Sequence, residues 1–103
     1  MKKIINGKKY DTETAKLIGR YRSELGRNDF RYFGEELFLK KTGEYFLFGE
    51  GHGMSKYRSF NGNSYSWGEE IAPMSKDEAF EWASKSSDMS VEQIEAHFGE
   101  VEE

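Results

Sequence analysis

The sequence predicts an α+β domain: an antiparallel sheet with a short N-terminal helix and two C-terminal helices packed on it. Three observations point there. Residues 35–39 and 44–48 are short runs rich in Phe, Tyr and Leu, separated by Lys40-Lys41-Thr42-Gly43, and that pattern belongs to a β-hairpin. Residues 67–74 read as a further strand. After them come two segments that each open on Ser-x-x-Glu or Ser-x-x-Gln, the capping box of a helix start. At 103 residues the whole of 1–103 is expected to be a single domain, its sheet of three to five strands centred on residues 34–49.

The elements follow in order. Lys3-Ile4-Ile5 and Lys8-Lys9-Tyr10 flank Asn6-Gly7. That dipeptide suits a type I′ turn, whose two central residues need φ > 0, so a small hairpin is predicted. Asp11 is placed to cap a short helix running to Ile18, with Ala15 and Ile18 on one face and Gly19 as its stop. Residues 20–31 are polar, basic and interrupted by Gly26; they read as a loop, with Tyr21, Leu25 and Phe30 tucked against the sheet.

In the central hairpin Leu37 and Leu39 alternate with Phe38, and Phe46 and Phe48 alternate with Tyr45 and Leu47. Side chains alternate faces along a strand. Both faces are therefore apolar and both need a cover, one of them helical. Gly49, Gly51 and Gly53 alternate with Glu50, His52 and Met54, which predicts a bulge or a wide turn. Residues 61–66 (NGNSYS) read as an exposed turn. Pro73 removes a ladder donor near the end of the last strand, so that strand is at an edge or finishes there. The first C-terminal helix carries Ala79, Phe80 and Ala83 on its apolar stripe, with Trp82 at the rim. The second carries Ile94 and Phe98 and stops at Gly99. The acidic tail, residues 100–103, is expected to fray.

Composition limits the chemistry. Aromatic residues make up 16% of the chain and all hydrophobics only 36%. The core is thus a few large rings, each burying about 150–250 Å². With no cysteine there is no thiol nucleophile, disulfide framework or Cys-ligated metal. No apolar run approaches the ~18 residues of a membrane span, and the first residues lack a signal-peptide core. A soluble cytoplasmic protein without a membrane partner is expected.

The net charge of −4 conceals a division. Residues 1–31 hold nine basic and four acidic side chains, whereas residues 69–103 hold eleven acidic and two basic ones. Such asymmetry steers charged partners. Glu69, Glu70, Asp77, Glu78, Glu81, Glu92 and Glu95 fall on a strand and two helices, where they would imitate a row of phosphates. Arg20, Arg22, Arg27 and Arg31, with Lys56 and Arg58, offer a second contact of opposite sign, to RNA.

Catalytic patterns are sparse. Glu50 beside His52 has the makings of a general base and its orienting carboxylate, with Lys56, Tyr57 and Arg58 near enough in sequence to stabilise a phosphate transition state. That is the minimum for a metal-independent ribonuclease. The bland account is an exposed loop histidine. Glu35-Glu36 and Glu69-Glu70 would meet a hard cation only through one member of each pair, because neighbours on a strand face opposite ways. Two histidines far apart and no Cys give no zinc pattern, and no cofactor is expected.

Three stretches, KKIINGKKYDTETAKLIG, ELFLKKTGEYFLFGEGHGMSKY and WGEEIAPMSKDEAFEWA, carry a resemblance that covers most of the chain. The chain resembles small proteins carried by phages, plasmids and conjugative elements of Gram-positive bacteria, a family that includes anti-CRISPR inhibitors of the type II CRISPR nuclease. The resemblance implies a non-enzymatic inhibitor in the host cytoplasm, with the nuclease or its guide-RNA complex as partner. It supplies no catalytic motif. A ribonuclease acting on guide RNA, and an RNA-binding module without inhibition, stand as the alternatives.

Overall fold

The computed structural model describes residues 1–102. Strands β1 (Lys2–Ile5) and β2 (Lys8–Asp11) pair antiparallel as a hairpin. Its turn residues Asn6 and Gly7 have φ of 51° and 77°, the left-handed pair that a type I′ turn requires. Strands β3 (Lys16–Arg22), β4 (Phe33–Leu39) and β5 (Tyr45–Gly51) follow. A two-residue ladder, β6 (Ser59–Phe60) with β7 (Tyr65–Ser66), precedes β8 (Gly68–Met74). Helices α1 (Lys76–Lys85) and α2 (Val91–Phe98) complete the fold. The main sheet has the order β3-β4-β5-β8 and is antiparallel throughout. It is a meander with residues 52–67 inserted between β5 and β8.

Each face of this sheet has its own core. Leu37, Tyr45 and Leu47 pack with Ala79, Trp82, Ala83 and Ile94 of the helices. On the reverse face Phe38, Phe46, Phe48 and Ile71 pack with Tyr10 of the first hairpin. Phe38 stacks on Phe46 at 5.2 Å, and Tyr10 meets Phe46 edge-on at 5.5 Å. Leu37 and Phe46 are fully buried, and each such side chain contributes about 1.5–3 kcal/mol. The apolar alternation read from the central hairpin is therefore observed, as are both capping boxes and the edge position of the strand that contains Pro73.

The expected N-terminal helix is not formed; the first helix begins at Lys76. Asp11 does act as a local cap. Its Oδ1 accepts from the Glu13 amide at 2.9 Å, and the Ala15 amide reaches the Asp11 carbonyl at 3.1 Å. The turn stops there because Lys16 begins to pair with Leu39. An isolated helical turn has an unfavourable nucleus, whereas a seven-residue ladder along β4 completes the sheet. Gly19 lies inside β3 opposite Leu37, in a register that shifts between Leu17 and Gly19. A Cβ on Gly19 would lie 2.6 Å from the Met89 sulfur, so the missing side chain admits Met89 to the sheet.

Four smaller corrections follow. Arg20, Tyr21 and Arg22 belong to β3 and not to a loop. Phe30 points outward, 67% exposed, while Tyr21 does pack on the helical core. Trp82 sits among the buried residues of α1, and Phe80 is the half-buried one. The turn at residues 61–66 is real but closes the small β6–β7 ladder. Residues 100–102 follow α2 without regular structure, and Glu103 lies outside the described residues.

Candidate functional site

The most constrained polar group in the molecule is Glu35. It shares a face of β4 with Leu37, which places a carboxylate in the helical core. The side chain is buried and fully engaged. Oε1 accepts from the indole Nε1 of Trp82 at 3.0 Å. Oε2 accepts from the Tyr57 hydroxyl and meets Lys56 Nζ at 2.9 Å. Burial by itself would raise the Glu35 pKa; the hydrogen bonds from Tyr57, Trp82 and Lys56 outweigh it and hold the carboxyl below its usual range. Burial, with the carboxylate beside it, pushes the Tyr57 hydroxyl well above the ordinary phenol range. The result is an acceptor held in its ionised form beside a phenol held in its protonated form. Such an arrangement fixes geometry and does not shuttle protons.

Space for this contact comes from Gly49, which stands opposite Glu35 on β5. A Cβ there would fall 1.9 Å from the Tyr57 ring. Tyr57 therefore lies flat over the sheet and ties the inserted segment, residues 52–67, to β4 and α1. The insert is secured again at Ser55, whose hydroxyl donates to the His52 carbonyl at 2.7 Å. The His52 amide donates to the Tyr32 carbonyl at 2.9 Å, and the Met54 amide to the Phe30 carbonyl at 2.8 Å.

What this anchored insert presents outward is aromatic and cationic. Trp67 carries the Arg27 guanidinium over its ring at 4.8 Å, and the His52 ring edge-on at 4.7 Å. Tyr32 stacks on Trp67 at 6.2 Å. Beyond them Tyr65 packs on Phe60 at 5.0 Å and carries the Arg58 guanidinium over its ring, 4.6 Å from the centroid. Phe30, Met54, Phe60 and Tyr65 are each more than half exposed.

No protein-family model, curated protein or solved structure matches the chain.

The carboxylates singled out in the sequence are spread over three elements. Glu69 and Glu70 are exposed on β8, on opposite faces, and border a depression shared with Lys3, Lys56 and Arg58. Glu78 accepts from the Ser75 amide at 2.9 Å as the second half of its capping box. Glu81 pairs with Lys85 at 2.7 Å. Glu92 is exposed in the first turn of α2, and Glu95 accepts from the Val101 amide at 3.0 Å. Among the described residues Glu69, Glu70, Glu78, Glu92 and Glu95 make no ion pair.

The basic residues do not gather at one spot. Arg20 and Arg22 are exposed on β3. Arg27 reaches Glu50 at 3.6 Å, Arg31 pairs with Asp29 at 3.0 Å, and Lys56 is held by Glu35. The trio Glu50, His52 and Lys56 is likewise divided: Glu50 faces Arg27, His52 packs on Trp67, and Lys56 turns to Glu35. Among the described residues no three His, Asp or Glu side chains gather in a way that would hold a metal ion. Glu35 and Glu70 stand in register on either side of Gly49, but the Tyr57 ring occupies the space over that glycine.

Two features escaped sequence reasoning. The Glu35 clamp was detectable by parity, since Glu35 alternates with Leu37 and Leu39 and must share their buried face. The outward aromatic surface had a compositional signal: residues 51–68 contain four aromatic side chains, Lys56 and Arg58, and no Asp or Glu.

Proposed function

We propose that the chain is a non-enzymatic inhibitor carried by a mobile element, and that it acts by occupying a basic surface of a type II CRISPR effector or of its guide-RNA complex. The observation that carries this reading is the outward projection of Glu69, Glu70 and Glu92, which make no ion pair among the described residues. Many of the chain's own cations are meanwhile committed elsewhere: Lys8 and Lys40 to Glu44, Arg27 to Glu50, Arg31 to Asp29 and Lys56 to Glu35. The C-terminal third thus keeps its negative charge for a partner. The resemblance of the three stretches quoted above supplies the kind of partner. No helix is long and apolar enough to cross a membrane.

The test uses purified chain with free guide RNA, apo effector and loaded effector, followed by gels for comigration and for target cleavage. Blocked cleavage with intact RNA supports inhibition by binding. Shortened RNA favours the ribonuclease alternative. Comigration with none of the three overturns the assignment. Glu69→Lys with Glu70→Lys is expected to weaken inhibition most at low salt, where exposed charges are least screened. Undiminished inhibition would remove β8 from the interface.

A further inference from the structure

We infer that the insert between β5 and β8, together with Arg27 and Phe30 of the segment joining β3 to β4, is a stacking platform for single-stranded nucleic acid. Large rings are usually spent on the core, yet Phe30, Phe60 and Tyr65 are 67%, 60% and 53% exposed. All three belong to one continuous surface. Met54 is tied by its amide to Phe30, Gly53 lies against the Tyr65 backbone, and Phe60 packs on Tyr65. Guanidinium groups are interleaved with the rings, Arg27 at Trp67 and Arg58 at Tyr65. Alternating rings and guanidinium planes are what unpaired bases and their phosphates require.

Charge selects this occupant over a protein surface. The chain is net −4, yet residues 51–68 have no acidic residue; of the cations here Lys56 is paired with Glu35 and Arg27 with Glu50, which leaves Arg58. Arg58 has no carboxylate partner among the described residues. Its donors are held only by the Ser55 carbonyl at 3.4 Å, a long contact that a phosphate oxygen would displace. Asn63 and Ser66, close to the rings in sequence, are exposed and carry amide and hydroxyl groups of the kind that bond base edges. The Tyr57 clamp keeps the platform in place before any ligand arrives, so little ordering entropy remains to be lost on binding.

The experiment measures fluorescence anisotropy of labelled oligo(U), oligo(dT) and a duplex, each about 12 nucleotides long, within the ~4–16-nucleotide footprint of single-strand platforms. Both single strands are expected to bind better than the duplex. Phe30→Ala and Phe60→Ala should each weaken binding at least about five-fold, the lower end of what one stacked base contributes. Arg58→Glu should weaken it further and reduce the slope of log affinity against log salt by about 0.7, the loss of one phosphate contact to a single strand. A preference between oligo(U) and oligo(dT) assigns the strand type and supports the platform. Circular dichroism checks each variant; Phe30 and Arg58 lie outside β6 and β7, so they decide the matter even if Phe60→Ala loosens that ladder. No anisotropy change with either single strand overturns the proposal. So does equal binding of the duplex, or variants that bind like the parent chain. Concentration-dependent self-association lost in Phe60→Ala would assign the surface to a second copy, and would equally overturn it.

Discussion

Tyr57 crosses the face of Gly49 to donate its hydroxyl to Glu35, two strands' width joined by one side chain over a residue that has none. The insert's position depends on this pair. Gly49→Ala puts a methyl where the ring now lies, and the ring must leave. A loss of about 1–3 kcal/mol is expected, the usual cost of overfilling a packed site. Urea unfolding measures it, and limited proteolysis should show cleavage within residues 52–58 before the sheet unfolds. An unchanged urea midpoint would contradict the packing described.

Glu35→Gln keeps the shape and removes the charge. Its amide still accepts one hydrogen bond but presents donors towards Tyr57 or Lys56. Hydrogen bonds to a charged group are worth about 1.5–3 kcal/mol, and a loss near 2 kcal/mol is expected at neutral pH. The pH dependence provides a second readout. The folded pKa of Glu35 lies below its ordinary 4.5, so its contribution is complete above that value and fades as pH falls through the folded pKa. The variant should show a flatter acid limb. Some slope will persist, because Glu44, between Lys8 and Lys40, is held down at about 2 and titrates in the same window.

Burial lowers the pKa of His97 from 6.5, with Lys16 and Lys76 adding repulsion. The folded chain therefore binds fewer protons than the unfolded one just below that pH, and stability declines as pH falls through 6.5. The neutral ring keeps its 2.7 Å hydrogen bond with the Tyr45 hydroxyl. An NMR titration of the ring is expected to give a midpoint under 6.5; a midpoint above it would contradict this environment.

Ser90 caps α2 by accepting from the Gln93 amide at 3.2 Å, while Gln93 returns a contact to the Ser90 amide at 2.9 Å. Ser90→Ala should cost about 1 kcal/mol. In a domain of this size that lowers the melting temperature by roughly 4–8 °C. Ser75→Ala tests the equivalent cap on α1, whose partner Glu78 is among the carboxylates discussed above.

Local rules sufficed where one interaction dominated. Asn6-Gly7 named its turn, alternation from Leu37 to Phe48 assigned both faces, and Ser75 and Ser90 marked both helix starts. They failed at residues 11–22, where Asp11 and Ile18 gave a helical signal but the outcome depended on a partner strand about twenty residues further along. The outward rings were hard to read for a related reason. A Phe in a core and a Phe on a platform look alike until their neighbours are known. The carboxylates were visible at once, whereas their pairing, as with Glu81 and Lys85, is a property of the folded surface.

The sheet is covered on one side by a hairpin made early in synthesis and on the other by helices that emerge after it. A nascent chain whose helices are still inside the ribosome can dock Tyr10 on Phe46 while Leu37, Tyr45 and Leu47 stay bare. Such a half-clad intermediate exposes apolar surface of the kind that chaperones exist to shield, and a released fragment ending just before Lys76 would display it.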